Sequence, residues 1–345
     1  MKVERIAALD ALRGIAAALV VAHHVSWAML NSPRFVGHGY LSVDFFFLLS
    51  GFVVARTYEP RLKWSMTFVA YARIRLTRLY PLMALGVIAG FVAYSLIGPF
   101  IPDRGTRLVA QLLFVPTLWM AGELFALNSV QWSLLVELAA NGLHAAILRY
   151  LTTLRLAAVV ASLAVGEVLT AHHFGNLQVG WSARSFLVGF VRGGFGFFAG
   201  VLCYRLHLLG RLPTLRVPWP IVAVALPVLV VVASHYQLSI RWYVDPLIVI
   251  VAMPAVLIMG INTVMTGVAK TVGKIAGEIS YPMYAIQAPV LLAVLGVSKR
   301  VAVDASPYAL CAVAAVAVLI AATALMFIDR RLQSKMNPRS HVYPR

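Results

Sequence analysis

The stretch Leu9-Asp10-Ala11-Leu12-Arg13-Gly14-Ile15-Ala16-Ala17-Ala18-Leu19-Val20-Val21-Ala22-His23-His24-Val25-Ser26-Trp27-Ala28-Met29-Leu30 is long and apolar enough to cross a bilayer as one helix, yet it carries an arginine and two histidines. Arg13 and His24 are eleven positions apart, about three turns and roughly 16.5 Å of rise, so they share a face to within about 20° at opposite depths. An ionisable group inside a membrane helix costs about 2.5–3.5 kcal/mol on insertion scales and tends to face protein or a wet cavity. Two on one face point to a pathway. Taken singly, Arg13 also reads as an interface anchor and His24 as a packing histidine; the shared face is what favours the pathway. His23, rotated about 100° from His24, is the lesser of the pair.

The composition carries this reading to the whole chain. Of 345 residues, 61% are hydrophobic and 12% charged, against about 25% charged in soluble domains. Apolar runs of helical length recur and no strand-like alternation does, which predicts an all-α polytopic membrane protein rather than a barrel. A formal charge of +17 invites a nucleic-acid reading, but the cations are dispersed at span ends, so no nucleic-acid partner is expected and the bilayer is. Cys203 and Cys311 fall in apolar spans and read as buried free thiols. No metal site is expected.

Ten candidate spans fall at about 9 to 30, 40 to 58, 80 to 98, 130 to 149, 155 to 172, 186 to 206, 218 to 235, 244 to 265, 277 to 297 and 307 to 328. A further apolar piece, Leu108 to Met120, is broken by Pro116 and too short to cross, so it reads as an interfacial or re-entrant helix that could cap a cavity. With the N-terminus inside, 20 of the 29 lysines and arginines fall in inner segments and 7 in outer ones, the bias expected of a cytoplasmic side. Both termini are then cytoplasmic, with one membrane domain over 1–330 and a short basic tail over 331–345. A crossing between 98 and 129 would invert everything after it. No appended soluble domain and no internal repeat is evident.

Four constellations stand out beside the first span. Asp44, in the outer third of the second, sits at a depth comparable to His24, where a carboxylate could fix the tautomer of that histidine; the alternative is a residue at the water interface. Phe68 to Tyr80 is a basic amphipathic stretch at the inner face in which Arg75 and Arg78, three apart, offer adjacent guanidinium forks suited to phosphate. Attraction to anionic lipid, worth about 1 kcal/mol per basic residue, accounts for it as well. In the fourth span, Ser133, Glu137, Asn141 and His144 make a polar stripe on one face, with Glu137 a candidate base or charge partner or else a structural hydrogen bond. Finally, Pro282 and Pro289 predict a distorted ninth span facing the interior. Glu167 reads as structural.

These residues together resemble the acyltransferase family three, the integral-membrane O-acyltransferases that modify bacterial surface and secreted glycans. Leu9-Asp10-Ala11-Leu12-Arg13-Gly14 with His24 resembles the family's Arg, ten residues, His signature, and Asp44 to Phe52 its second-span motif. Arg75-Leu76-Thr77-Arg78-Leu79-Tyr80-Pro81 resembles its Arg-x-x-Arg element and Trp132-Ser133-Leu134-Leu135-Val136-Glu137 its Trp-Ser-Leu-x-x-Glu element. Ile279-Ser280-Tyr281-Pro282-Met283-Tyr284 resembles its ninth-span motif. Five weak elements in order across the chain make a specific signal. One departure is Gln287, where many members carry His.

The resemblance implies an acyl-CoA donor, most often acetyl-CoA, from the cytoplasm and a saccharide hydroxyl as acceptor on the other side of a bacterial inner membrane, alongside polysaccharide-assembly machinery. Arg13, Arg75 and Arg78 would bind the coenzyme phosphates. His24, with Asp44 and Glu137, would act as general base or as an acyl-imidazole relay. Ser133, Asn141 and Tyr281 would line the cavity. The rival reading is a secondary transporter or glycolipid exporter that uses His, Asp and Glu as a proton relay.

Overall fold

The computed structural model describes residues 5–30, 36–120, 123–235, 240–301 and 305–336. Lys2, Arg34, Arg339, Arg345 and the stretch 337–345 of the expected tail lie outside them. The described residues form helices α1 (Ala7–Leu30), α2 (Ser42–Trp64), α3 (Phe68–Leu96), α4 (Arg104–Leu112), α5 (Gln131–Ile147) and α6 (Thr153–Phe174). There follow α7 (Phe186–Leu208), α8 (Trp219–Ser234), α9 (Arg241–Leu247), α10 (Met253–Asn262), α11 (Gly267–Arg300) and α12 (Pro307–Met336). A π turn, Ile248–Ala252, joins α9 to α10 as one span.

A helix lies at each of the ten expected positions. Eight are long and apolar enough to cross a membrane; α5, with 17 residues, and α8, with 16, are shorter. Helix directions order the rest. Ala7, Asp10 and Arg13 meet Gly273, Gly277 and Ser280 while His24 meets Gln287, so α1 and α11 run parallel. Asp44, Leu48 and Glu59 meet Arg192, Gly200 and Arg205, so α2 and α7 are parallel too. An odd number of reversing helices must separate each pair. Between α2 and α7 these are α3, α5 and α6, which gives α5 a place in the alternation and leaves none for the segment at 98–129; the same count between α1 and α11 gives α8 its place. Nine-residue α4 is about 13 Å long and cannot cross.

In lipid, helices associate by packing and interhelical hydrogen bonds, so close approach at small residues matters more than apolarity. At Gly14 a Cβ would fall 2.6 Å from that of Ala276, and at Gly51 it would fall 1.9 Å from the Phe197 carbonyl oxygen. Two buried ion clusters add to the α2–α7 contact. Arg192 Nε and Nη2 reach the two Asp44 oxygens at 2.7 Å each. Arg205 Nη2 and His144 Nε2 meet Glu59 Oε1 at 2.8 and 2.9 Å.

Three expected breaks do not occur. The amphipathic stretch 68–80 and the third span are one 29-residue helix, α3, running through Pro81. Proline removes a donor from the carbonyl four residues back; here that carbonyl, on Thr77, accepts from Gln333 Nε2 at 3.1 Å. Helix α11 is likewise continuous through Pro282 and Pro289, and the Ala285 carbonyl freed by Pro289 accepts from Asn128 Nδ2 at 2.9 Å. The piece at 108–120 is helical only in its first part. Its helix begins at Arg104 and ends at Leu112, and Gln111 ties it to the Leu127 amide, so it buttresses the start of α5 instead of capping a cavity.

The glycines give a stability contrast of opposite sign. Gly51→Ala drives a Cβ into backbone and should destabilise by about 1–3 kcal/mol, whereas Gly142→Ala in α5 meets nothing within 4 Å and should gain up to about 1 kcal/mol of helix propensity. Thermal unfolding of the detergent-purified variants checks both.

Candidate active site

Because Arg13 and His24 share a face of α1, both turn toward α11, and each finds its partner there. Arg13 Nη2 donates to the Gly277 carbonyl at 2.6 Å and to Asp10 Oδ1 at 3.2 Å, while Nε donates to Ser280 Oγ at 3.0 Å. Three turns further along, His24 Nδ1 lies 3.1 Å from Gln287 Oε1. Each residue borders a different cavity. The cavity at the Arg13 end, called inner after the charge bias, has a volume of about 490 Å³; the outer one, at the His24 end, has about 1090 Å³. Both fall near the size range of small-molecule sites. Together the two cavities lie along the expected pathway. Among the described residues, Val43 and Tyr284 alone border both cavities, and the Tyr284 hydroxyl is hydrogen-bonded there to Ser133, so these two side chains form the partition at which the cavities adjoin.

The inner cavity gathers six of the nine residues singled out in the sequence: Arg13, Arg75, Arg78, Ser133, Glu137 and Tyr281. They come from α1, α3, α5 and α11. Within this set the arginines differ. Arg75 is buried and its Nη2 donates to Glu137 Oε1 at 2.9 Å, an oxygen that also accepts from Ser50 Oγ at 2.6 Å. Arg13 already has three acceptors. Arg78, one turn from Arg75, borders the cavity without a hydrogen-bonded or ion-paired side chain among the described residues. Five arginines (5, 13, 75, 78 and 330) face four carboxylates (Asp10, Glu137, Glu278 and Asp329) around this space. The local balance is a slight excess of positive charge, so any anion bound there depends on the guanidinium forks that are not already satisfied. The Tyr281 hydroxyl donates to the Leu79 carbonyl and so fixes α11 against α3 at the cavity wall.

Two expected roles need correction. Asp44 does not orient His24: both its oxygens are taken by Arg192, and it borders neither cavity. A carboxylate in the apolar interior is stable only beside a charge partner, and α7 supplies one closer than α1 does. Asn141 borders neither cavity either. It accepts from the Tyr71 hydroxyl at 2.7 Å and donates to the Glu137 carbonyl at 2.7 Å, so the polar stripe of α5 lines a cavity only in its first half and is interior scaffolding below.

Beyond Trp132 of the Trp-Ser-Leu-x-x-Glu element, the outer cavity holds residues the sequence did not single out. Trp27, Trp132 and Trp181 stand in its wall with Glu123, Asn176 and Gln178. They come from α1, α5 and two loops, and no periodicity links them. Arg192 also borders it; an arginine in the middle of a span, with a lone aspartate in another, was the one signal that could have paired it with Asp44.

Comparison with known proteins adds the family. Residues 6–327 match the family model described as an acyltransferase domain. The chain is 38% identical over 160 residues to protein 2 in the picA locus of Rhizobium radiobacter, a match covering 41% of this chain and 82% of that protein. It is 34% identical over 151 residues to acyltransferase MdmB of Streptomyces mycarofaciens, covering 40% of this chain and 38% of that protein. No solved structure matches it. The family match takes in the outer cavity and all of the inner one except Arg5, Asp329, Arg330 and Gln333, and the chain therefore belongs to acyltransferase family 3, a family of membrane acyltransferases.

Proposed function

We propose that this protein moves an acyl group, acetyl in the simplest case, from cytoplasmic acyl-CoA to a saccharide hydroxyl presented from the opposite face of a bacterial cytoplasmic membrane. The observation that carries this reading is the pair of cavities: one bordered by arginines, the other by His24, adjoining among the described residues at Val43 and Tyr284. The coenzyme phosphates engage Arg78 first, with Arg13 and Arg75 behind it, and the thioester is delivered to the partition. The acceptor occupies the outer cavity, whose three tryptophans suit the apolar face of a sugar ring.

Chemically, the imidazole of His24 takes the proton of the acceptor hydroxyl as its oxygen attacks the thioester carbon. The carbon–sulfur bond breaks, and the proton passes from the imidazolium to the departing thiolate. A positioned base of this kind contributes about 100- to 10,000-fold. An acyl-imidazole formed and then discharged on the same nitrogen balances equally well. A proton-relay transporter finds less support. Asp44 and Glu59, two of the carboxylates such a relay would use, are each locked by an arginine, and one of the two relatives is itself named an acyltransferase.

Two measurements test the proposal. Acetyl-CoA should bind the purified protein about tenfold to a hundredfold more weakly when Arg78, whose side chain has no hydrogen-bond or ion-pair partner to release among the described residues, becomes Ala, while Arg61→Ala leaves binding as it was; an unchanged affinity for the Arg78 variant overturns the donor site. His24→Asn should keep acetyl-CoA affinity but lose transfer of labelled acetyl to cell glycans, and normal transfer at normal protein level removes His24 from the chemistry. Arg75→Ala should behave differently from Arg78→Ala, because it strands Glu137 and costs about 3–5 kcal/mol of stability as well.

A further inference from the structure

We propose that Gln287 is the positioning residue for His24, selecting the tautomer in which Nδ1 carries the proton and Nε2 presents its lone pair to the outer cavity. This rests on His24 being the reacting group, as proposed above. The geometry is specific. Gln287 is completely buried in α11, with Oε1 at 3.1 Å from His24 Nδ1 and Nε2 donating to the Tyr284 carbonyl at 3.3 Å.

The second bond determines which end of the amide faces the histidine. Turning the amide over would set its oxygen against the Tyr284 carbonyl and its NH2 against the ring, so the hydrogen-bond network itself assigns the orientation. An oxygen facing Nδ1 can only accept, which requires the proton on Nδ1 and leaves Nε2 as the acceptor. No described side chain bonds Nε2, the ring borders the outer cavity, and the other acceptor beside the ring is the Val20 carbonyl one turn back on α1. Free histidine favours the other tautomer, so the fold must impose this one.

An amide is suited to the task in a way a carboxylate is not. Asp44, the acid nearest in depth, is committed to Arg192, and a second carboxylate in this apolar wall would need its own cation. Gln287 orients the ring with no added charge. It also ties that orientation to Tyr284, the residue at the partition, because the same amide bonds the Tyr284 backbone. The ring and the passage between the cavities are thereby held by one turn of α11.

The test is 15N NMR of imidazole-labelled protein, with the His24 signal identified among nine histidines by its loss in His24→Asn. Wild-type protein should show a protonated Nδ1 and a bare Nε2 on His24. Gln287→Met, similar in shape but with no amide acceptor, should lose that exclusive pattern and lower kcat for acyl transfer at least about fivefold, the worth of one hydrogen bond, while KM for acetyl-CoA stays put. A wild-type His24 protonated on Nε2 overturns the proposal whether or not the Met variant folds, and so does a Met variant with wild-type spectrum and kcat. An inactive His24→Asn combined with the Nε2–H tautomer removes only the role of Gln287. A fully active His24→Asn removes that role and the His24 chemistry together.

Discussion

The close parallel approach of α1 to α11 is the constraint from which the site follows. Glycines at 14, 273 and 277 bring the two backbones near enough for Arg13 to reach the Gly277 carbonyl and for His24 to meet Gln287. Two polar groups on one helix face are thereby satisfied by a single neighbour, at depths about 16 Å apart. With larger residues at those three positions the helices would stand apart, and each polar group would be left facing a gap.

The second parallel pair, α2 and α7, plays a complementary part. Its buried carboxylates are neutralised by Arg192 and Arg205 at opposite ends of the contact, which makes α2 a rigid wall common to both cavities. Such pairs are expensive to bury, yet once made they are costly to break, and in an apolar surround they fix the register of two helices. The reactive groups can then face open space while the scaffold carboxylates, Asp44 and Glu59, border neither cavity. Arg78 and His24, one in each cavity, are among the described residues left with unsatisfied capacity.

Much of this was legible in the sequence. Helical length and apolarity marked ten positions at which helices lie, eight of them long and apolar enough to cross, and eleven-residue spacing placed Arg13 and His24 on one face, because both depend only on local periodicity. The first half of the α5 stripe followed from the same rule. What the sequence hid was every pairing set by tertiary contact. Asp44 joins Arg192 from 148 positions away, and the continuity of α3 through Pro81 depends on Gln333, 256 positions from Thr77. Asn141 shares the face of Ser133 but not its surroundings, since the cavity ends where Tyr71 begins. Gln287 was visible only as a departure from the family pattern, and its bond to His24 is what gives that departure a physical meaning.

The account stands on the two cavities opening to opposite sides of the membrane and meeting at Tyr284. Single cysteines at Arg78 and Trp27, in protein lacking Cys203 and Cys311, can be probed with a membrane-impermeant maleimide in sealed vesicles of known orientation. The account predicts that the position-78 thiol reacts only from the cytoplasmic side and the position-27 thiol only from the other. Labelling of both from one side would contradict it.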